Sequence, residues 1–154
     1  MTILAIESTC DETGAAVAKS YGRPRAVEIL ADVKASSAEI HAKYGGVIPE
    51  IAAREQVAAI IPVITEAMER AGVSEKEIEV IAVAQGPGLV GSLLIGVETA
   101  KALAMAWKKP LIAVNHMAAH VFANWIGEKT PGLPAVALIV SGGHTDLMYL
   151  ESLT

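Results

Sequence analysis

Two histidines stand four residues apart in His116-Met117-Ala118-Ala119-His120. On a helix that spacing puts both imidazoles on one face, about 6 Å apart at their β-carbons, which suits a shared metal ion. The zinc-protease form of the motif carries a glutamate directly after the first histidine as general base; Met117 stands there, which disfavours a metalloprotease. Two imidazoles also fall short of a closed metal site, so a metal here needs an acidic ligand from elsewhere. The competing reading is a pair of partly exposed histidines on an amphipathic helix.

Gly86-Pro87-Gly88-Leu89-Val90-Gly91 has the G-x-G-x-x-G spacing of a dinucleotide turn. The acidic residue expected about 20 positions on, at the end of the next strand, is replaced by Asn115, so the glycines read instead as a tight turn with close helix-to-sheet packing. In Ser141-Gly142-Gly143-His144-Thr145 two glycines let backbone amides converge on an anion, with hydroxyls at both ends; a plain hairpin turn is the competing reading. Asp11 and Glu12 lie in a similar turn, where they face phosphates and a divalent cation if the two turns oppose each other. His41 and Tyr44-Gly45-Gly46 fit a substrate loop or an ordinary connector.

These residues need a scaffold, and 154 residues support one compact core. Hydrophobic residues make up 53%, charged residues 19%, and mean hydropathy is +0.45, which excludes a disordered chain and implies apolar surface that meets a partner. Glu98 and Lys101 interrupt the most apolar stretch, residues 89–107, so no membrane span is expected. The first residues lack a basic region and carry Glu7, Asp11 and Glu12, unlike a secretory signal. The single cysteine, Cys10, has no internal disulfide partner, which points to the cytoplasm. A net charge of -5 provides no footprint for a nucleic-acid backbone, so binding to RNA needs positive charge from another lobe or subunit.

The pattern predicts strands over residues 2–7, 14–19 and 27–33, the last after a loop marked by Gly22 and Pro24, and then a loop over 36–46. A helix over residues 49–71 follows, opened by Pro49 and kinked at Pro62. A strand over 79–85, the glycine turn, a helix to Trp107, a strand over 111–115 and a helix from His116 to about Ile126 come next. A final hairpin pairs residues 135–140 with 146–151, giving a mixed α/β layer fold. The stretches 3–13 and 137–145 share one design, apolar strand, small polar turn and returning strand, as in two lobes that each offer a turn to a shared nucleotide; similarity between two ordinary hairpins is the alternative.

Taken together, Ile6-Glu7-Ser8-Thr9-Cys10-Asp11-Glu12-Thr13, His41-Ala42-Lys43-Tyr44-Gly45-Gly46-Val47-Ile48-Pro49-Glu50, the Gly86–Leu93 turn, Asn115-His116-Met117-Ala118-Ala119-His120 and Val140-Ser141-Gly142-Gly143-His144-Thr145 resemble the tRNA threonylcarbamoyladenosine transferases. The resemblance implies the actin-like, sugar-kinase and heat-shock ATPase fold, which is ribonuclease H-like. Residues 1–134 correspond to an N-terminal lobe and 135–154 to the first hairpin of a truncated second lobe. By the same resemblance His116 and His120 bind a divalent metal, iron or zinc, whose carboxylate partner lies in the second lobe. Ile139, Val140, Ser141, Gly142, Gly143 and His144 hold the threonylcarbamoyl-adenylate or ATP, and Asp11 and Glu12 are acidic catalytic positions near nucleotide and metal, magnesium included. The implied reaction moves a threonylcarbamoyl group onto the exocyclic amine of the adenosine following the anticodon of tRNA. The implied partners are a shorter scaffolding paralogue and an ATPase subunit.

The order Ser8-Thr9, Ala38 and Gln56 depart from the usual family pattern, and Ile139 in place of tyrosine places the chain nearer the bacterial branch. The family is about twice this length, so the chain reads as one lobe, inactive alone, weak in metal binding and prone to form a homodimer. A non-catalytic scaffold of the same complex is the alternative function; it lacks the histidine pair and the Ser-Gly-Gly-His-Thr turn found here. A nucleotide-binding dehydrogenase is a third reading, weakened by Asn115.

Overall fold

A computed structural model describes residues 1–22, 27–126, 131–141 and 145–152. Strands β1 (Thr2–Glu7), β2 (Glu12–Ser20), β3 (Val27–Ser36), β4 (Val80–Gly86) and β5 (Leu111–Asn115) form one sheet in the order β3-β2-β1-β4-β5. β2 runs antiparallel to both its neighbours, while β1, β4 and β5 are mutually parallel. This is the actin-like, ribonuclease H-like lobe that the motifs imply.

Alternation along the strands decides which face is covered. Leu4 and Ile6 of β1, Ala15 and Val17 of β2 and Val33 of β3 point to one face and are buried there. Against them pack helix α2 (Pro49–Ala71), through Ile60, Val63, Ile64 and Ala67, and helix α3 (Val90–Trp107), through Ala100 and Ala104. The opposite face, with Ala5, Glu7, Gly14, Ala16, Ala82 and Val114, forms a shallow hollow of about 310 Å³.

Helix α2 begins at Pro49, whose fixed φ suits a first helical position, runs through Pro62, and stops where Gly72 turns left-handed at φ 67°. Among the described residues α3 is the one helix long and apolar enough to cross a membrane. One side of it, with Ser92, Leu93, Gly96, Ala100 and Ala104, is buried against the rest of the lobe, while Val90, Leu94 and Met105 are exposed and Glu98 pairs with Lys101 at 2.7 Å on the outside.

Two expectations change. β3 continues to Ser36 because Glu12, Thr13 and Gly14 of β2 pair with Ser36, Ala35 and Lys34. Residues 36–46, expected to be a loop, contain a short helix, α1 (Ala38–Ala42), held by long-range contacts: Ser37 donates from its amide and its hydroxyl to the Asp11 carbonyl, at 2.9 and 3.1 Å. Five residues are too few for helical periodicity to register. Pro24 lies outside the described residues.

Helix α4 (His116–Phe122) and a 3₁₀ turn (Ala123–Trp125) follow β5 directly. Strands β6 (Ala135–Val140) and β7 (Thr145–Leu150) then form a separate antiparallel hairpin. One hairpin face, Val136, Leu138, Val140, Leu147 and Tyr149, is exposed to solvent.

Candidate functional site

The histidine pair is placed by the end of β5. Asn115 closes that strand and caps α4, its Oδ1 accepting the Ala118 amide at 3.0 Å. The cap starts the helix at His116, so His120 falls one turn later on the same face. The rings meet edge to face with centroids 4.5 Å apart, and the two Nε2 atoms are 3.2 Å apart. Two imidazoles bound tetrahedrally to one zinc at about 2.0–2.1 Å hold their nitrogens about 3.3 Å apart, so this pair already has the spacing of a shared metal. No third histidine, cysteine, aspartate or glutamate completes such a site among the described residues.

A cleft of about 960 Å³ opens beside the pair, near the upper end of the range for small-molecule sites. Its walls join distant motifs: Cys10 from the β1–β2 turn, Gly45 and Gly46, Pro87 and Gly88, both histidines, and β6 through Ser141. Gly88 holds φ at 159°, a conformation that L side chains rarely adopt, in line with the tight-turn reading of the glycine motif. Ile139, Val140 and Ser141 thus share a cavity with His116 and His120. Gly142, Gly143 and His144 lie outside the described residues.

Neither Asp11 nor Glu12 lines this cleft, although Glu12 lines the sheet-face hollow that Glu7 and His120 also border. The Glu12 carboxylate accepts from Lys34 Nζ at 2.9 Å at the border of the open sheet face. Asp11 lines a small hollow of about 60 Å³ shared with Ser37 and Gln56. Their backbone is drawn inward: Gln56 Nε2 donates to the carbonyls of Cys10, at 3.3 Å, and Glu12, at 3.2 Å. Cys10 itself sits at φ 52°, and its thiol is pushed above the ordinary cysteine range by partial burial, then by the carboxylates of Asp11 and Glu7.

His41 is not a cleft wall; it lies beneath one. Only 3% exposed, it accepts the Ile48 amide on Nδ1 at 3.3 Å, bracing the loop that carries Gly45 and Gly46. The residue that sequence reasoning passed over is Glu7. Its Oε1 lies 2.9 Å from His116 Nδ1, close enough for an ion pair though not in line with the ring N–H, and it accepts the Thr9 hydroxyl on the same oxygen. A carboxylate ending an otherwise apolar strand was the available signal.

The sequence model of the family TsaD, tRNA N6-adenosine threonylcarbamoyltransferase, matches residues 28–154. The chain belongs to that family. It is 52% identical over 151 residues to a tRNA N6-adenosine threonylcarbamoyltransferase of Syntrophobacter fumaroxidans, with 98% of this chain and 43% of the relative aligned. The corresponding proteins of Symbiobacterium thermophilum and of an Anaeromyxobacter species are 51% and 50% identical, each across 96% of this chain and 42% and 43% of their own length. The chain therefore spans less than half the length of these curated TsaD relatives.

Among solved structures, YeaZ from Pseudomonas aeruginosa superposes with a TM-score of 0.54 at 19% identity, covering 80% of this chain and 49% of that one. A second, described as an uncharacterized protein from the same organism with similarity to peptidase YeaZ, gives 0.56 at 19% identity, covering 96% of this chain and 63% of the other. Both likenesses concern the fold alone.

Proposed function

We propose that this TsaD-family chain forms the metal-binding lobe of a tRNA threonylcarbamoyladenosine transferase, contributing one wall of the site where threonylcarbamoyl-adenylate is held. The observation that carries the reading is the convergence of His116 and His120 at 3.2 Å on a cleft whose other walls are the family's remaining motifs. In the reaction the exocyclic amine of the adenosine following the anticodon attacks the carbamoyl carbon of the adenylate. A C–N bond forms, the mixed-anhydride C–O bond breaks, AMP leaves, and the amine loses a proton.

The residues fit a divalent cation, because two neutral imidazole nitrogens at metal-sharing distance suit zinc or iron. Such a cation, when bound, polarises the carbamoyl carbonyl or anchors the adenylate. Ser141 lines the cleft, and by the family resemblance Gly142 and Gly143, outside the described residues, are assigned with it to the adenylate phosphate, with magnesium accompanying ATP where ATP occupies the same site. Asp11 and Glu12 are assigned to the acidic side of this site. Glu12 approaches it from the sheet-face hollow that His120 also lines, and Asp11 from the turn that carries Cys10.

The remaining metal ligand is a carboxylate from a second lobe, of which residues 135–154 are the first hairpin and residues 1–134 the complementary lobe. With a net charge of -5, tRNA binding falls to that lobe, to a shorter paralogous scaffold and to an ATPase subunit. Without them the chain pairs with a second copy of itself in the cytoplasm.

Zinc or iron titration of the wild type beside His116→Ala and His120→Ala tests the site. Weak binding that each substitution abolishes is expected; identical behaviour of all three overturns the assignment. The chain alone is expected to leave tRNA unmodified, with transfer restored by the complete complex, and efficient modification by this chain alone overturns the one-wall reading.

A further inference from the structure

We propose that Glu7 is a positioning residue for the histidine pair: its carboxylate keeps the proton of His116 on Nδ1 and so presents Nε2 as a free lone pair to a divalent cation. This rests on the metal reading of His116 and His120 given above. Glu7 is no part of the ligand set itself, because it faces the opposite nitrogen of the ring.

The His116 side chain is 15% exposed and its Nδ1 is closed to solvent, so no water serves that atom. A carboxylate oxygen 2.9 Å away repels an imidazole lone pair and attracts an N–H, which places the proton on Nδ1. Nε2 is then the acceptor, and it faces His120 Nε2 at 3.2 Å. Without metal, His120 donates across that gap; with metal, both nitrogens turn their lone pairs to it.

The carboxylate is itself held. Glu7 ends β1 opposite Gly14 of β2, and the Thr9 hydroxyl, on a residue only 4% exposed, donates to the same Oε1. Thr9, Glu7, His116 and His120 thus stand in a row from the β1–β2 turn to the cleft, joined by hydrogen bonds at both ends and by the close 2.9 Å approach of Glu7 to His116 between them. A carboxylate on the far nitrogen of a ligating histidine fixes tautomer and ring orientation, and losing it typically lowers metal affinity about 10- to 100-fold.

A purely structural tie between β1 and α4 makes a different forecast, since it alters stability without changing the tautomer or the affinity. The test is zinc titration of the wild type, Glu7→Ala, Glu7→Gln and His116→Ala, joined to long-range ¹H–¹⁵N NMR of the imidazoles in the metal-free protein. Expected are an Nδ1-protonated His116 in the wild type, affinity reduced about 10- to 100-fold in Glu7→Ala, partial recovery in Glu7→Gln, whose amide oxygen still accepts, and no binding in His116→Ala. Wild-type affinity in Glu7→Ala while His116→Ala fails to bind overturns the role of Glu7 and leaves the metal site standing. A proton on Nε2 in the wild type does the same. Absence of zinc binding in every protein, wild type included, overturns the metal site and this inference with it.

Discussion

The Ser8 hydroxyl sits inside a turn of α3, accepting the Gly96 amide at 2.8 Å and donating to the Ser92 carbonyl at 2.6 Å. It ties the end of β1 to the helix behind the cleft, and it is fully buried. Only glycine permits the approach, because a Cβ at position 96 would stand 2.6 Å from Ser8 Oγ and 3.3 Å from Ser8 Cβ.

Gly96→Ala is therefore expected to destabilise the lobe by about 1–3 kcal/mol, the ordinary cost of overpacking a core. Ser8→Ala removes two buried hydrogen bonds and costs about 1–3 kcal/mol. The double variant is expected to lose less than the sum, since removing the hydroxyl relieves the closest contact. Urea unfolding of the four proteins measures the coupling, and strict additivity would show that the two sites do not meet.

At His41, alanine leaves the Ile48 amide without its acceptor and opens space beneath the cleft loop. A loss of about 1–3 kcal/mol is expected, with faster hydrogen exchange at Ile48. His41→Asn, which restores an acceptor oxygen, is expected to recover part of the protection. Unchanged exchange in His41→Ala would remove the bracing role.

Cys10 lines the cleft with a thiol whose pKa is raised, first by partial burial and then by the carboxylates of Asp11 and Glu7. A raised pKa means less thiolate at any given pH, so alkylation at neutral pH is expected to be slower than for a free cysteine and to rise at higher pH than usual. Asp11→Asn removes one of the two repelling charges and is expected to speed the reaction. A rate profile matching free cysteine contradicts the electrostatic account.

The exposed apolar face of the hairpin, with Leu147 at 73% and Val140 at 70% exposure, and the outer ridge of α2, with Val57 at 63%, supply surface for self-association. Light scattering over a concentration series is expected to show a homodimer. Leu138→Lys with Leu147→Lys disperses it if the hairpin is the contact, and Val57→Lys with Ile61→Lys if α2 is. A monomer at every concentration would mean that neither face is used.

Local chemistry made much of this protein legible in its residues alone. The apolar run of residues 2–7 marks a strand, and the spacing of Val57, Ile60, Ile61, Ile64 and Met68 marks a helix, because such patterns belong to a single element; packing then buries Ile60 and Ile64 and leaves Val57 and Ile61 exposed. The i, i+4 histidines announce a shared face for the same reason. Polarity misjudged residues 38–42, where Ser37 and the Asp11 carbonyl fold a helix too short to leave a pattern.

Tertiary structure alone decided which groups meet across elements. Strand order puts β1 beside β4 and β4 beside β5, and only that order carries Glu7 to the far nitrogen of His116. It likewise sets Glu12 against Lys34 at the sheet-face hollow, outside the cleft, although Asp11 and Glu12 adjoin Cys10, which does line it. Neighbours in a tight turn point in different directions, and contacts between distant segments depend on packing that no local spacing encodes.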